Sequence, residues 1–274
     1  LLVRGSFREG AWTGIFGPGM VTVSVGTSGS ACTVLEGPYV DPTGEIASYC
    51  DSTGKYLPLL CVSNLSNGYD ALLERLGLSH EGFAELVERA PPGNGGRVLV
   101  PWYVGERTPD LPFAAATALG FDVADLAGAR PEALCRAVVE GHVLNLWDGF
   151  ARMPVEPREI RLTGGLSASP AWCLTIADVF DTETVPVAGE GAALGAAIHA
   201  AWAWHREAGE ARPLAELAAP FVVLEEQRRR KPRAEHRETY ALVRRLFRAV
   251  SRRIRGLEGE DPFALRRDLA ESSR

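Results

Sequence analysis

The sequence predicts an α/β protein, and three observations carry that reading. Composition is that of an ordinary globular chain, with 46% of the 274 residues apolar and 23% charged. That suffices for a sizeable core and is unlike collagen, a coiled coil or a disordered chain. Val21-Thr-Val-Ser-Val25 alternates with the period of two that a strand requires. The last third runs strand–turn–helix–strand–helix, the pattern of α/β folds.

The elements follow from local signals. Residues 1–17 are glycine-rich and irregular. Gly26-Thr-Ser-Gly29 breaks the first strand and Ser30 to Leu35 resumes it, so the pair reads as a hairpin. Pro42-Thr-Gly44 and Ser52-Thr-Gly54 punctuate two short strands, and Leu59 to Val62 reads as a buried one. From Asn67 the period becomes helical, and Gly77 closes that helix. A second helix runs from His80 to Arg89, stopped by Pro91-Pro92. Arg97 to Val100 is a strand, 105–130 is loop, and Pro131 starts a long amphipathic helix to about Met153. A strand at Glu159–Leu162, a helix at Pro170–Phe180, a strand at Thr184–Val187 and an Ala-rich helix from Gly191 to about His205 follow. Residues 207–233 read as a polar connector whose basic run, Arg228 to Lys231, faces solvent. A last helix spans His236 to Arg255 with Leu242, Val243, Leu246, Phe247 and Val250 on one face. Residues 258–274 read as a frayed tail.

Several function classes drop out. The formal net charge of −6 gives no general attraction to nucleic acid or to an anionic membrane. No run reaches the roughly 18–20 apolar residues of a membrane span, and no signal-peptide pattern opens the chain. The five cysteines (32, 50, 61, 135 and 173) are odd in number and lack any CxxC, which suits reduced thiols in a cytoplasmic protein. The five histidines are scattered, so no metal site is expected.

Four stretches could carry chemistry. The Gly26–Gly29 turn has no bulky side chain, so its N–H groups could approach an anion, or it could be a plain turn. Thr163-Gly-Gly-Leu-Ser-Ala-Ser169 ends a strand in Gly164-Gly165 at the start of a helix, where open α/β folds bind ligands. A tight strand–helix turn is the alternative. Gly191-Ala-Ala-Leu-Gly195 favours close helix packing. Gly105-Glu-Arg-Thr-Pro109 holds either a structural Glu–Arg ion pair or an anchor for a cleft. His142, Asp148 and Asp178 sit inside helices and read as structural.

Taken in order, these motifs resemble the C-terminal half of the FGGY carbohydrate kinases, and within them the xylulokinases. The resemblance rests on Val21–Gly29, Leu99–Pro109, Ala133–Gly141, Leu162–Pro170, Ala177-Asp178 and Gly191–Ala197. It implies an actin-like (ribonuclease H-like) domain with a mixed sheet, flanking helices and a C-terminal helical extension. The domain itself would span 18–206, and 207–257 would form connector and helix. The resemblance further implies ATP with Mg²⁺ as cofactors and transfer of the γ-phosphoryl group to a sugar hydroxyl. On this basis Gly26 and Thr27 would contact the β/γ-phosphates. Gly164, Gly165 and Ser169 would line the adenosine pocket, and Asn67 and Gly68 would face the nucleotide.

One departure stands out. Members of that family carry a Gly-Asp pair upstream of the phosphate hairpin, and the Asp is the general base. Family spacing lands on Gly5, and no Asp precedes Asp41. The sugar-binding first domain is also absent, so no catalytic residue is assigned and the chain alone is expected to be inactive. Leu1 rather than Met stands first. A truncated or out-of-frame chain fits these facts, and so does a natural non-catalytic module that binds a nucleotide or a partner. The sugar, such as D-xylulose, would be held with the missing N-terminal domain, and a homo-oligomer is left open.

Overall fold

The computed structural model describes residues 17–50, 53–189 and 191–272. At its centre is a six-stranded mixed sheet in the order β3-β4-β2-β1-β7-β8. Strands β1 (Met20–Val25) and β2 (Gly29–Thr33) form the expected hairpin, with Val25 opposite Gly29. Strands β3 (Ala47–Cys50) and β4 (Tyr56–Val62) continue it antiparallel. On the other side of β1, β7 (Glu159–Thr163) and β8 (Glu183–Pro186) run parallel to it, Ser24 lying beside Thr163. Strands β5 (Val98–Val100) and β6 (Thr117–Leu119) make a separate two-stranded ribbon.

Between β4 and β5 lie α1 (Asn67–Leu76) and α2 (His80–Arg89). Gly77 closes α1 in the left-handed conformation, φ 62°, and the Ser79 hydroxyl caps α2 by accepting from the Gly82 N–H at 3.1 Å. A short α3 (Val123–Leu126) precedes the long α4 (Pro131–Phe150). This helix was expected to be amphipathic, and the structure corrects that. It is buried nearly all round, because the sheet, α2, α5 (Pro170–Phe180) and α8 (Arg237–Ile254) cover its successive faces. Two glycines permit the fit. A β-carbon at Gly149 would lie 2.8 Å from Leu60 Cδ1, and one at Gly141 would strike the Leu99 carbonyl.

The main core joins Val21, Val23, Val25, Leu60 and Val62 of the sheet to Val139, Val143, Leu146, Trp172 and Ile176 of the helices. A smaller cluster of Cys32, Leu57 and Leu59 covers the opposite face. From α8, Tyr240, Val243, Leu246, Phe247 and Val250 are buried, while Leu242 is half-buried. The helix is pinned by a buried hydrogen bond from Tyr240 Oη to Glu140 Oε1 at 2.9 Å.

Three expectations for the C-terminal third fail. The 207–233 segment is more than a connector. Helix α6 (Gly191–Glu207) packs Ile198 against Leu214 and Ala218 of α7 (Leu214–Ala218). The chain then runs antiparallel along β8, exchanging Thr184 N–H to Arg230 O and Arg230 N–H to Thr184 O, both 2.9 Å. An edge strand has unpaired N–H and C=O groups, and this segment satisfies them. The basic run is likewise not a free solvated face: Arg229 reaches Glu159 at 2.8 Å and Glu226 at 2.7 Å, and Lys231 reaches Glu183 at 3.2 Å.

The expected frayed tail is a helix, α9 (Pro262–Ser272). Leu265 and Leu269, one turn apart, are buried against α8 and the turn at Pro92–Gly96. Two leucines in a polar stretch give a weak sequence signal, yet they fill a defined place.

Candidate functional site

β1 and β7 are neighbours and parallel, so both finish at the same end of the sheet. Open α/β sheets bind ligands at such carboxyl ends. Beyond β1 comes the Gly26–Ser28 turn, with Thr27 and Ser28 exposed. Its position is fixed from behind, since the Thr27 carbonyl accepts from Leu65 N–H at 3.1 Å and Ser66 N–H at 3.4 Å. Beyond β7 comes Gly164, at φ 90°. A β-carbon there would sit 2.6 Å from the Val25 carbonyl oxygen. Only glycine lets the two strand ends approach this closely. Gly165 differs, as a β-carbon on it would meet nothing within 4 Å. The 3-10 turn Gly165–Ala168 then leads into α5 through Ser169.

A cleft of about 710 Å³ opens in front of these strand ends. Gly26, Thr27, Gly165 and Ser169 are all on its lining. Gly164 is not; it is the hinge that sets Gly165 in place. Asn67 and Gly68 are not on the lining either, although Ser66, Tyr69 and Asp70 of the same turn are. The Asn67 side chain is committed to Asn64 Oδ1 at 2.7 Å. A β-carbon on Gly68 would strike the Tyr103 hydroxyl. Gly5 lies outside the described residues.

The far wall went unread in the sequence. It is the face of α2 carrying His80, Glu81, Ala84, Glu85 and Glu88. These positions are spaced as one side of a helix, but only the docking of α2 onto α4 and α5 aims them at the glycine turns. Tyr69 forms the cleft's back corner. Its hydroxyl bonds His80 Nδ1, and its ring packs edge-on against Phe83 and Trp172 at centroid distances of 4.6 and 5.8 Å. Burial, helped by the negative charges of Asp70 and Glu81, pushes the Tyr69 phenol up to about 12, so it remains protonated.

The Gly105–Pro109 loop settles one alternative. Glu106 is not ion-paired with Arg107. Its buried carboxylate accepts from the Ser63 N–H, from the Arg107 N–H at 2.7 Å, from Asn145 Nδ2 at 3.0 Å and from Asn64 Nδ2 at 3.2 Å. It thereby ties the loop to the β4–α1 junction and to α4. The helix residues are structural in their contacts. Burial holds the His142 imidazole down near 4, its Nδ1–H donating to the Val138 carbonyl. Asp148 pairs with Arg248 at 2.7 Å, and Asp178 receives the Arg233 N–H at 2.8 Å and its Nε–H at 3.0 Å.

Comparison with known proteins decides the family. The C-terminal domain of the FGGY family of carbohydrate kinases matches residues 22–204. The chain belongs to that family. A xylulose kinase of Haemophilus influenzae is 34% identical over 232 residues, 83% of this chain and 45% of that protein. A xylulose kinase of Streptomyces rubiginosus is 34% identical over 189 residues, 67% of this chain and 37% of that protein. The crystal structure of xylulose kinase from Bifidobacterium adolescentis superposes with a TM-score of 0.72 at 32% identity, covering 88% of this chain and 46% of that one. The FGGY chain therefore spans about half the length, or less, of these relatives, and its fold is the actin-like one that the motif order implied. No helix among the described residues is long and apolar enough to cross a membrane.

Proposed function

We propose that this chain is the ATP-binding half of a xylulokinase-like carbohydrate kinase, one that moves the γ-phosphoryl group of ATP to a sugar hydroxyl. The observation that carries the reading is the glycine-floored cleft at the joined ends of β1 and β7, within a chain of FGGY descent. The cleft fits the group: Gly165 leaves open the space a side chain would fill, and its volume is that of a small-molecule site. In this reading Gly26 and Thr27 take the β/γ-phosphates, and Gly165 and Ser169 line the adenosine pocket on the support of Gly164. Asn67 and Gly68 hold the turn that brings Ser66 and Tyr69 to the wall. The carboxylates of α2 repel phosphate, so the triphosphate lies toward the hairpin and the nucleoside toward α2. Mg²⁺ would come with the nucleotide and supply positive charge against the phosphates; it usually takes few protein ligands.

The domain would run over 18–206, supported by the family match at 22–204. The sugar would be held by the N-terminal domain that accounts for the remaining length of the relatives. Cytoplasmic location is supported by the five cysteines, none of them in a disulfide among the described residues. With no Asp before Asp41, the general base of the reaction is not supplied where the resemblance places it, which alone costs about 10²–10⁴-fold. Without an aligned acceptor the loss is larger. Calorimetric titration of the 274-residue chain with Mg·ATP tests the proposal. Binding by the native chain that Gly165→Leu abolishes supports it, and no binding by a folded chain overturns it. With D-xylulose added, the chain alone should show no turnover above background.

A further inference from the structure

We infer that a second cavity, at the C-terminal ends of α4 and α8, is a binding site for a small phosphorylated anion. It measures about 500 Å³ and shares no lining residue with the glycine cleft. Arg152, Arg248, Arg252 and Arg255 all line it, in a chain whose net charge is −6. Two of these cations are matched within the protein. Arg152 pairs with Glu45 at 2.8 Å and Asp41 at 3.5 Å, and bonds the Thr43 hydroxyl at 2.7 Å. Arg248 pairs with Asp148 through Nε at 2.7 Å and lies over the Trp147 ring at 4.8 Å.

The other two are not matched. Arg252 spends only its Nε–H, on the Glu258 carbonyl. The Arg255 side chain has no hydrogen-bond or ion-pair partner among the described residues. The carbonyl ends of α4 and α8 favour nearby cations, but each end is a partial charge, and neither of these two exposed guanidinium groups has a carboxylate partner among the described residues. Thr108 lines the same cavity, and its buried hydroxyl has no hydrogen-bond partner among the described residues. A buried hydroxyl without a partner is destabilising, and an anion oxygen that reached it would supply the acceptor. Guanidinium forks match the paired oxygens of a phosphate. Two uncommitted forks correspond to a doubly charged phosphate group.

The probe is pyrophosphate, titrated calorimetrically into the 274-residue chain carrying Gly165→Leu, which fills the nucleoside side of the glycine cleft; only binding that the arginine variants weaken is assigned to the second cavity. Binding should persist there, weaken as salt is raised, and fall at least tenfold in the Arg252→Gln/Arg255→Gln variant of the same background. Arg255→Gln alone, which breaks no internal contact, should fold normally and lose part of the affinity. Absence of binding in the Gly165→Leu chain, or affinity unchanged by both arginine variants, overturns the inference. Neither result depends on whether ATP binds the other cleft.

Discussion

Gly164 stands so close to Val25 that a β-carbon on it would lie 2.6 Å from the Val25 carbonyl oxygen. The contact joins the ends of two parallel strands that are more than a hundred residues apart in sequence. Gly164→Ala imposes both a steric conflict with backbone and a left-handed φ of 90° on a side chain. The expected cost is about 1–3 kcal/mol. Urea denaturation reads it as a lower midpoint with an unchanged slope. Nucleotide affinity should fall as well, because moving Gly164 moves Gly165.

Glu106 should be sensitive to loss of its charge. Both of its oxygens accept hydrogen bonds from backbone or amide donors. Glu106→Gln turns one acceptor into an NH₂ that faces other donors. The expected cost is about 1–3 kcal/mol, measured by chemical denaturation. A change under about 0.5 kcal/mol, the range of a neutral surface substitution, would mean that the loop is not held by this carboxylate.

The C-terminal helix should matter to the whole domain. Leu269 is 1% exposed, and Leu269→Ala is expected to destabilise by about 2–5 kcal/mol. A tail that merely frayed would give no change. Thermal melts of this variant beside the native chain distinguish the two.

Stability should fall on mild acidification through His142. Burial lowers its pKa from 6.5 to about 4, so the folded protein binds this proton less readily than the unfolded chain does. The contribution is complete above pH 6.5 and is lost as pH falls toward 4. Between pH 7.5 and pH 5 the loss is about 2 kcal/mol. In His142→Leu that slope should shrink, whatever the variant's stability at neutral pH. An identical pH dependence in the two proteins would assign the acid sensitivity to other groups.

How far the sequence was legible depended on whether a signal was local. The sequence reading of helices at His80 to about Arg89 and Pro170–Phe180 agrees with the observed bounds, because Pro91 is a stop signal and Pro170 a start signal in themselves. Glycine turns were legible for a similar reason, since Gly-Gly at a strand end marks a close approach. The wall opposite them was not. Nothing in the spacing of Tyr69, His80 and Glu85 says that they face Gly165 until α2 is docked on α4. Arg229 and Glu159 are seventy residues apart, so the basic run looked solvated when its partners lay across the sheet. Gly68 was flagged as a glycine facing a ligand, yet its neighbour in the structure is the Tyr103 ring, and a bare glycine cannot announce which of two close approaches it serves.

The strip of chain that runs along β8 gives the sheet a direction of growth. With Thr184 and Val187 already bridged to Arg230 and Leu224, a further strand cannot pair directly with β8 at these positions. Among the described residues the sheet's other border is β3, four residues long with Ser48 and Cys50 exposed. Strand-to-strand association through the six-stranded sheet, whether in assembly or in aggregation, is thereby directed to its short β3 border.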